Sequence, residues 1–425
     1  MVPRETRDLL VSLETLPPSS IPESARSKAE SFAFRAWKQL GGNLRCTRLG
    51  RGSVADVFKI RSAEVPLPIV LKIIRSDSVS RVRREAEILS ELAEEAAEIG
   101  ILLGPKFEHA LSEALQDAAD SLLREIDFPG ESGNLEEASL FYAQNERIRI
   151  PESFGPESES GLFMELVEGI PLFENSLAQD ERREIARQLF RAVILEPLFS
   201  GLPETIFHGD PHAGNILLQA CREKPVRIIL LDWSQAGRLP DSVRHGLIEL
   251  CLNCLNGEMP SREVIEHVVG RPPPKGTLSI PKDGNPLSRA LEIIQQLAID
   301  GMKVPLSLLL LRKSLLTIEA IARQLNPDFD SWKETVVYSG WVIASETPFR
   351  IFNLALPWLD IPSVYRSGIS TKALLAMLVN KFVRSHNFSL TFPLALCDSL
   401  IAGLAAKEVA AVGGEVGMGS YGVNV

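Results

Sequence analysis

A polar loop, Phe207-His208-Gly209-Asp210-Pro211-His212-Ala213-Gly214-Asn215, runs straight into apolar residues. After Val226-Arg227, the strand-like run Ile228-Ile229-Leu230-Leu231 ends on a further acid, Asp232. No other stretch constrains the chain as much. Four consecutive large apolar residues read as a buried strand, so Asp232 stands at its end. Asp210 and Asn215 lie five residues apart in the loop upstream. Phosphoryl transfer needs such a set: one carboxylate to orient or deprotonate an attacking hydroxyl, and an amide with a second carboxylate to hold Mg²⁺ on phosphate oxygens. The plainer alternative is a polar turn with a satisfied core histidine and a strand-end aspartate.

Composition narrows the class. A chain of 425 residues with 45% hydrophobic and 24% charged side chains suits a soluble globular protein with one large core or a few smaller ones. The formal net charge of −10, with no offsetting basic block, argues against nucleic acid as a partner. The five cysteines (Cys46, Cys221, Cys251, Cys254, Cys397) are scattered, and no secretory signal precedes them, which points to a cytoplasmic, reducing setting. Cys251 and Cys254 sit in an apolar, helix-like run with no second pair, as core residues do. The most apolar C-terminal stretch, 388–406, is interrupted by Pro393 and Asp398, so a spanning helix is not expected there. Peripheral contact with a membrane through this region stays open.

Along the chain, 1–25 reads as an irregular entry and Ser27 to Leu40 as a helix stopped by Gly41-Gly42. A β pattern follows: Thr47 to Leu49, the turn Gly50-Arg51-Gly52-Ser53, an alternating strand Val54 to Ile60, and a second strand Ile69 to Ile74. Helical periodicity takes over in a charge-dense run, Ser78 to Ile99, then in Glu108 to Arg124 and Glu131 to Ala143. Residues 148–172 return to strand character, and Gly161 to Val167 is a buried strand running out into Glu168-Gly169. Beyond 172 the expectation is mostly helix apart from the loop and strand above, with a Pro/Gly-rich break at 270–285, a long helix Pro305 to Gln324 and a frayed Gly-rich tail from Gly413.

Two further pieces carry chemistry. Gly50 and Gly52, with Ser53, form a hairpin whose backbone N–H groups could approach phosphate oxygens without a Cβ in the way. Lys72 stands inside the apolar strand 69–74, where a lysine is unusual unless an anion holds it. Glu131 is the preferred partner, with Glu87 and Glu91 as competitors. Met164-Glu165-Leu166-Val167 would offer backbone hydrogen bonds to a purine edge.

The order of these pieces resembles a protein-kinase-like fold. Within it, Leu122-Leu-Arg-Glu125-Ile-Asp127-Phe-Pro-Gly-Glu131-Ser-Gly-Asn134 resembles the Glu-x-Asp signature of the ABC1 (UbiB/AarF-like) atypical kinases. His208-Gly-Asp210-Pro-His212-Ala-Gly-Asn215 is similar to their His-Gly-Asp-Pro-His-Pro-Gly-Asn loop, and 311–328 is similar to their C-terminal helix. The resemblance covers roughly 45–330. It implies an α+β, bilobal protein-kinase-like fold: an N-terminal extension over 1–44, a small β-rich N-lobe with inserted helices over 45–172, a helical C-lobe over 173–345, and a helical extension over 346–425. It also implies an ATP-dependent kinase or ATPase. Gly50, Gly52, Ser53, Val57, Lys72, Glu165 and Val167 would then bind ATP or ADP. Glu131 would orient Lys72, Asp210 would take the catalytic-loop role, and Asn215 with Asp232 would hold Mg²⁺. Glu125, Asp127, His208 and His212 belong to family motifs. Partners implied are a nucleotide and an isoprenoid lipid of the ubiquinone type or a membrane surface.

The chain departs from that pattern in three places. The family's Lys-x-Gly-Gln motif is missing, with only Lys38-Gln-Leu-Gly41 as a jumbled echo. Gly50-Arg51-Gly52-Ser53 replaces an alanine-rich loop, and Trp233-Ser234 follows Asp232 where Phe-Gly usually stands. Two other functions fit parts of the pattern: a catalytically silent nucleotide-binding regulatory module, and a small-molecule phosphotransferase of the aminoglycoside-kinase type.

Overall fold

The computed structural model describes residues 44–375 apart from 52–53, 63–68, 75, 104, 155–160, 174–176, 222–223, 274–278, 301, 356–357 and 359. The helix expected over 27–40, the echo motif at 38–41, the apolar stretch 388–406 and the Gly-rich tail all lie outside the described residues.

The first sheet has four antiparallel strands in the order β1 (Leu44–Arg51), β2 (Ala55–Ser62), β3 (Ile69–Ile74) and β5 (Gly161–Glu165). β3 is interior to this sheet, which suits its Val/Leu/Ile run. Val70, Leu71, Ile73 and Ile74 are buried, and Lys72 faces Val57 on one side and Leu162 on the other. Between β3 and β5 come α1 (Ser76–Leu103), α2 (Pro105–Arg124) and α3 (Phe128–Phe141). α1 packs along α2. It buries the small or branched residues Val82, Ala86, Ala93 and Ala96, while Arg81, Arg83, Arg84, Glu85 and Glu87 stay in solvent.

The second sheet has the order β4 (Ile148–Arg149), β9 (Lys224–Leu230), β8 (Ile216–Cys221) and β6 (Ile170–Pro171). β8 and β9 form an antiparallel hairpin whose register pairs Ile216 with Leu230. Ile228, Ile229 and Leu230 are buried, as an unbroken apolar run requires. The chain beyond 172 is therefore richer in strands than its periodicity suggests, because β7 (Glu204–His208), β8 and β10 (Ala236–Pro240) also form there. β10 reads Ala-Gly-Arg-Leu-Pro, with no β-branched residue, so only its pairing with β7 makes it a strand.

Contacts divide the chain into two compact units that interleave in sequence. One holds the described residues up to Leu189 together with those of 206–238 and 294–327, and so contains both large sheets, the polar loop and α8 (Leu306–Leu325). The other comprises the described residues of 190–205, 239–293 and 328–375. It is built from helices, among them α5 (Asp241–Asn256), α6 (Arg262–Val269) and α9 (Ser331–Ser345). In this second unit Arg350 is buried and donates to Glu346, Ser367 and the Ile369 carbonyl. Cys251 and Cys254 are free thiols on α5, and burial pushes both above their ordinary pKa.

Candidate active site

The site begins with a helix cap, which starts α3 three residues before the Glu131 expected from the periodicity. Asp127 is the N-cap of α3, and its Oδ1 accepts from the Gly130 amide at 3.0 Å. Pro129 stands in the first turn, where its missing N–H costs nothing. Gly130 leaves room for the cap: a Cβ there would lie 2.3 Å from Asp127 Oδ2. The next residue, Glu131, is thereby held in the first turn of α3, buried to 1% exposure.

Glu131 meets Lys72. The Lys72 ammonium donates to both Glu131 oxygens at 2.9 Å and to Asp232 Oδ2 at 3.1 Å, and lies 5.5 Å from the centre of the Phe128 ring. The two competitors for this lysine lie near Arg84 on the exposed face of α1 instead. Burial opposes the Lys72 charge, yet the carboxylates of Glu131 and Asp232 outweigh it and hold the ammonium above its usual pKa. Burial pushes the Glu131 carboxyl up to about 7, with Lys72 acting against that rise. At Asp232 burial also acts upward, but Lys72 and Ser234 overcome it and hold the carboxyl at about 2.

The hairpin register delivers the other side of the site. Leu231 N–H donates to Asn215 O at 2.8 Å, which sets the residue before Asp232 beside the residue before β8. Asn215 Nδ2 donates to Asp210 O at 3.2 Å, so its carbonyl oxygen Oδ1 is the atom suited to a metal. Asp232 has φ 55°, the one positive φ on a non-glycine among the described residues. That conformation is costly for most L-residues and tolerated by Asp and Asn. Ser234 donates its amide and hydroxyl to Asp232 Oδ1, at 3.3 and 2.7 Å, and so secures the turn.

His208 ties the two acids together without facing solvent. Its Nδ1 accepts from the Asp210 amide at 3.2 Å, and its Nε2 lies 2.7 Å from Leu231 O. These partners require the neutral Nε2–H tautomer, and burial lowers the ring's pKa accordingly. Its ring packs on Trp233 at 4.9 Å, and Trp233 is wholly buried. His212 is a local cap, accepting from Gly214 N–H at 3.1 Å. Gly209 permits a close crossing, since a Cβ there would lie 2.0 Å from the Gln235 carbonyl oxygen.

A cavity of about 180 Å³ opens onto Val57, Lys72, Asp210, Asn215 and Asp232, with Glu125 on its wall. His212 also borders it, whereas His208 and Asp127 act from behind. Gly50 is paired with Val57 at the end of β1. Gly52 and Ser53 lie outside the described residues. Glu165 is not part of the cavity wall; its amide donates to Glu152 O at 2.8 Å and its carboxylate accepts from Arg149. Val167 is buried just beyond β5.

The structure adds residues to which sequence reasoning gave no role. Asn134 Nδ2 donates to Trp233 O at 2.8 Å, and Gln235 Nε2 donates to Ser121 O at 2.9 Å, tying α3 and α2 to the segment after Asp232. Lys313 of α8 places its ammonium 2.9 Å from Asp210 Oδ1. A lysine within a leucine-rich helix was the only signal for it.

An antiparallel sheet with a lysine on its third strand, a glutamate on the following helical segment, an acid-and-amide loop and a strand-end acid define a protein-kinase-like fold. Comparison with known proteins gives the family. The model of the ABC1 atypical kinase-like domain matches residues 29–266, more than half the chain, and that of the UbiB helical domain matches 284–330. This chain belongs to the ABC1 atypical kinase family. It is 25% identical over 374 residues to a probable protein kinase UbiB of Aeromonas hydrophila, covering 83% of this chain and 67% of the relative. A relative of the same name from Klebsiella pneumoniae is 25% identical over 370 residues, covering 79% and 66%. The chain thus spans about two thirds of the length of these relatives. A Mycobacterium tuberculosis protein solved with erythromycin aligns with a TM-score of 0.43 at 16% identity, covering 77% of this chain and 89% of that one. Among the described residues no helix is long and apolar enough to cross a membrane.

Proposed function

We propose that this chain is an ATP-dependent kinase or ATPase that binds Mg²⁺-nucleotide beside Lys72. The carrying observation is the Lys72 ammonium bonded to both Glu131 and Asp232 at the wall of a cavity that Asp210 and Asn215 share. Lys72, kept charged by Asp232 and, where it is ionised, by Glu131, would hold phosphate oxygens of ATP or ADP, and Glu131 would fix its direction. Asn215 Oδ1 and Asp232 are hard oxygen donors of the kind Mg²⁺ takes. Bound there, the ion would neutralise charge on the phosphates. Asp210 would orient an acceptor hydroxyl and receive its proton. Gly50, Gly52, Ser53 and Val57 would cover the phosphates and sugar. At the purine edge the Glu165 amide is already committed, which leaves carbonyl and Val167 backbone groups for the base.

Glu125 favours one competing function. Its carboxylate lines the same cavity as Asp210, and that like charge suits a restrained, silent regulatory module. Turnover decides between them. ATP hydrolysis or transfer should require Mg²⁺ and fall by at least about a hundredfold in Asp210→Asn and in Asp232→Asn. Mg²⁺-dependent nucleotide binding with turnover unmoved by both changes would leave the regulatory module. An isoprenoid lipid as acceptor or activator follows from the family resemblance, and stimulation of turnover by added isoprenoid lipid vesicles tests it.

A further inference from the structure

We propose that Lys313 is a second cationic residue of the site, leaving Asp210 to contact the transferring phosphoryl group once nucleotide is bound. This rests on the Mg²⁺-nucleotide function proposed above. The first reason is charge. Three carboxylates, from Glu125, Asp210 and Asp232, line the cavity, and among its described lining residues Lys72 is the sole lysine or arginine. Lys72 is already shared between Glu131 and Asp232. The loop from Phe207 to Leu218 contains neither lysine nor arginine. Charge developing on a transferring phosphoryl group calls for a cation beyond the one that anchors the other phosphates.

The second reason is placement. α8 is locked to the loop at two points one turn apart. Ser314 is wholly buried and donates its hydroxyl to His208 O at 2.8 Å. Leu310 Cδ1 stands where Gly209 has no side chain, 3.5 Å from the position a Cβ would take. Lys313, between these two anchors, is set at one register beside Asp210, with Nζ 2.9 Å from Oδ1. The third reason is ease of exchange. Lys313 is 52% exposed and Asp210 31%, and such an exposed pair is weak enough for the ammonium to shift to a more highly charged phosphate.

In the transfer step the acceptor oxygen forms a bond to the γ-phosphorus as the bond from that phosphorus to the β,γ-bridging oxygen breaks. ADP leaves with the electron pair, and the acceptor proton passes to Asp210. Lys313 keeps its own proton throughout and stabilises the phosphoryl oxygens.

The test compares Mg²⁺-ATP and Mg²⁺-ADP affinities and turnover for the full chain and for Lys313→Ala, Lys313→Arg, Asp210→Asn and the Asp210→Asn/Lys313→Ala pair. Lys313→Ala should weaken Mg²⁺-ATP by roughly tenfold to a hundredfold while leaving Mg²⁺-ADP within about twofold, as loss of one charge-assisted hydrogen bond to the γ-phosphate predicts. Turnover should fall about a hundredfold or more, with most of it returned by Lys313→Arg. The paired variant should bind Mg²⁺-ATP more weakly than Asp210→Asn alone. An unchanged ATP-to-ADP affinity ratio, with no further loss in the paired variant, would make Lys313 a mere partner of Asp210 and overturn the proposal. Failure of the unaltered chain to bind either nucleotide would instead remove the function on which it rests.

Discussion

Replacing Lys72 by Met tests the buried ion-pair cluster most directly, because Met keeps the length of the stem and removes only the charge. Glu131 is 1% exposed and its carboxyl already sits at about 7, against an ordinary value of 4.5. Lys72 is the chief influence holding it down, so the variant's carboxyl must rise further. A folded pKa above the unfolded one means that the folded state keeps its proton longer. The resulting stability is full below about pH 4.5 and is lost as pH rises through the folded value. In the unaltered chain that loss ends near pH 7, whereas in the variant it continues upward at about 1.4 kcal/mol for each further unit. A further rise of about two units, within the range seen for buried carboxyls, therefore costs about 3 kcal/mol by pH 9. That agrees with the ~3–5 kcal/mol for stripping one partner from a buried pair. Near pH 6 both proteins hold Glu131 protonated, and the difference should shrink to about 1 kcal/mol, mostly from the lost contact with the half-exposed Asp232. Urea unfolding at pH 6 and pH 9, for the unaltered chain, Lys72→Met and Lys72→Met/Glu131→Gln, measures this. The double variant should regain most of the loss at pH 9. A stability difference that does not change between pH 6 and pH 9, or no recovery in the double variant, would refute the reasoning.

Two further outcomes follow from backbone geometry. Gly209→Ala puts a Cβ 2.0 Å from a backbone carbonyl oxygen, so the loop and the Gln235 segment must part. A loss of about 2 kcal/mol or more in unfolding free energy is expected, together with weaker nucleotide binding, and an unaltered Tm would contradict the crossing. Asp232→Asn and Asp232→Ala both remove the carboxylate, but only Asn suits φ 55°. Ala should therefore be less stable than Asn by about 1 kcal/mol in chemical denaturation, and equal stability would show that the turn carries no strain.

Much of the site is legible in the sequence. A lysine inside an apolar strand has to find an anion, because an ammonium buried alone is too costly. The loop's acid and amide and the strand-end acid carry the expectation of phosphoryl chemistry, and the motifs around them resemble the family that comparison then supplied. These features are local, and a window of a dozen residues carries them.

Which groups meet was decided only in three dimensions. Lys72 and Glu131 are 59 positions apart, and Lys72 and Asp232 are 160 apart. Residue type alone does not separate Glu131, the partner preferred from sequence, from Glu87 or Glu91, since the choice among acids on different helices depends on how α3 lies against β3. The pairing of Asn215 with Leu231 depends on the register of β8 with β9, and a slip of one residue would turn Asp232 away from Lys72. β10 has no strand propensity of its own and exists because β7 offers it hydrogen-bond partners. Lys313 lies 103 positions beyond Asp210 and reaches it only because Ser314 and Leu310 anchor α8 to the loop. Local sequence sets the chemical types present and the short elements that display them. Tertiary packing decided their distances, because Coulomb attraction, burial and hydrogen-bond register all act through space and are blind to separation along the chain.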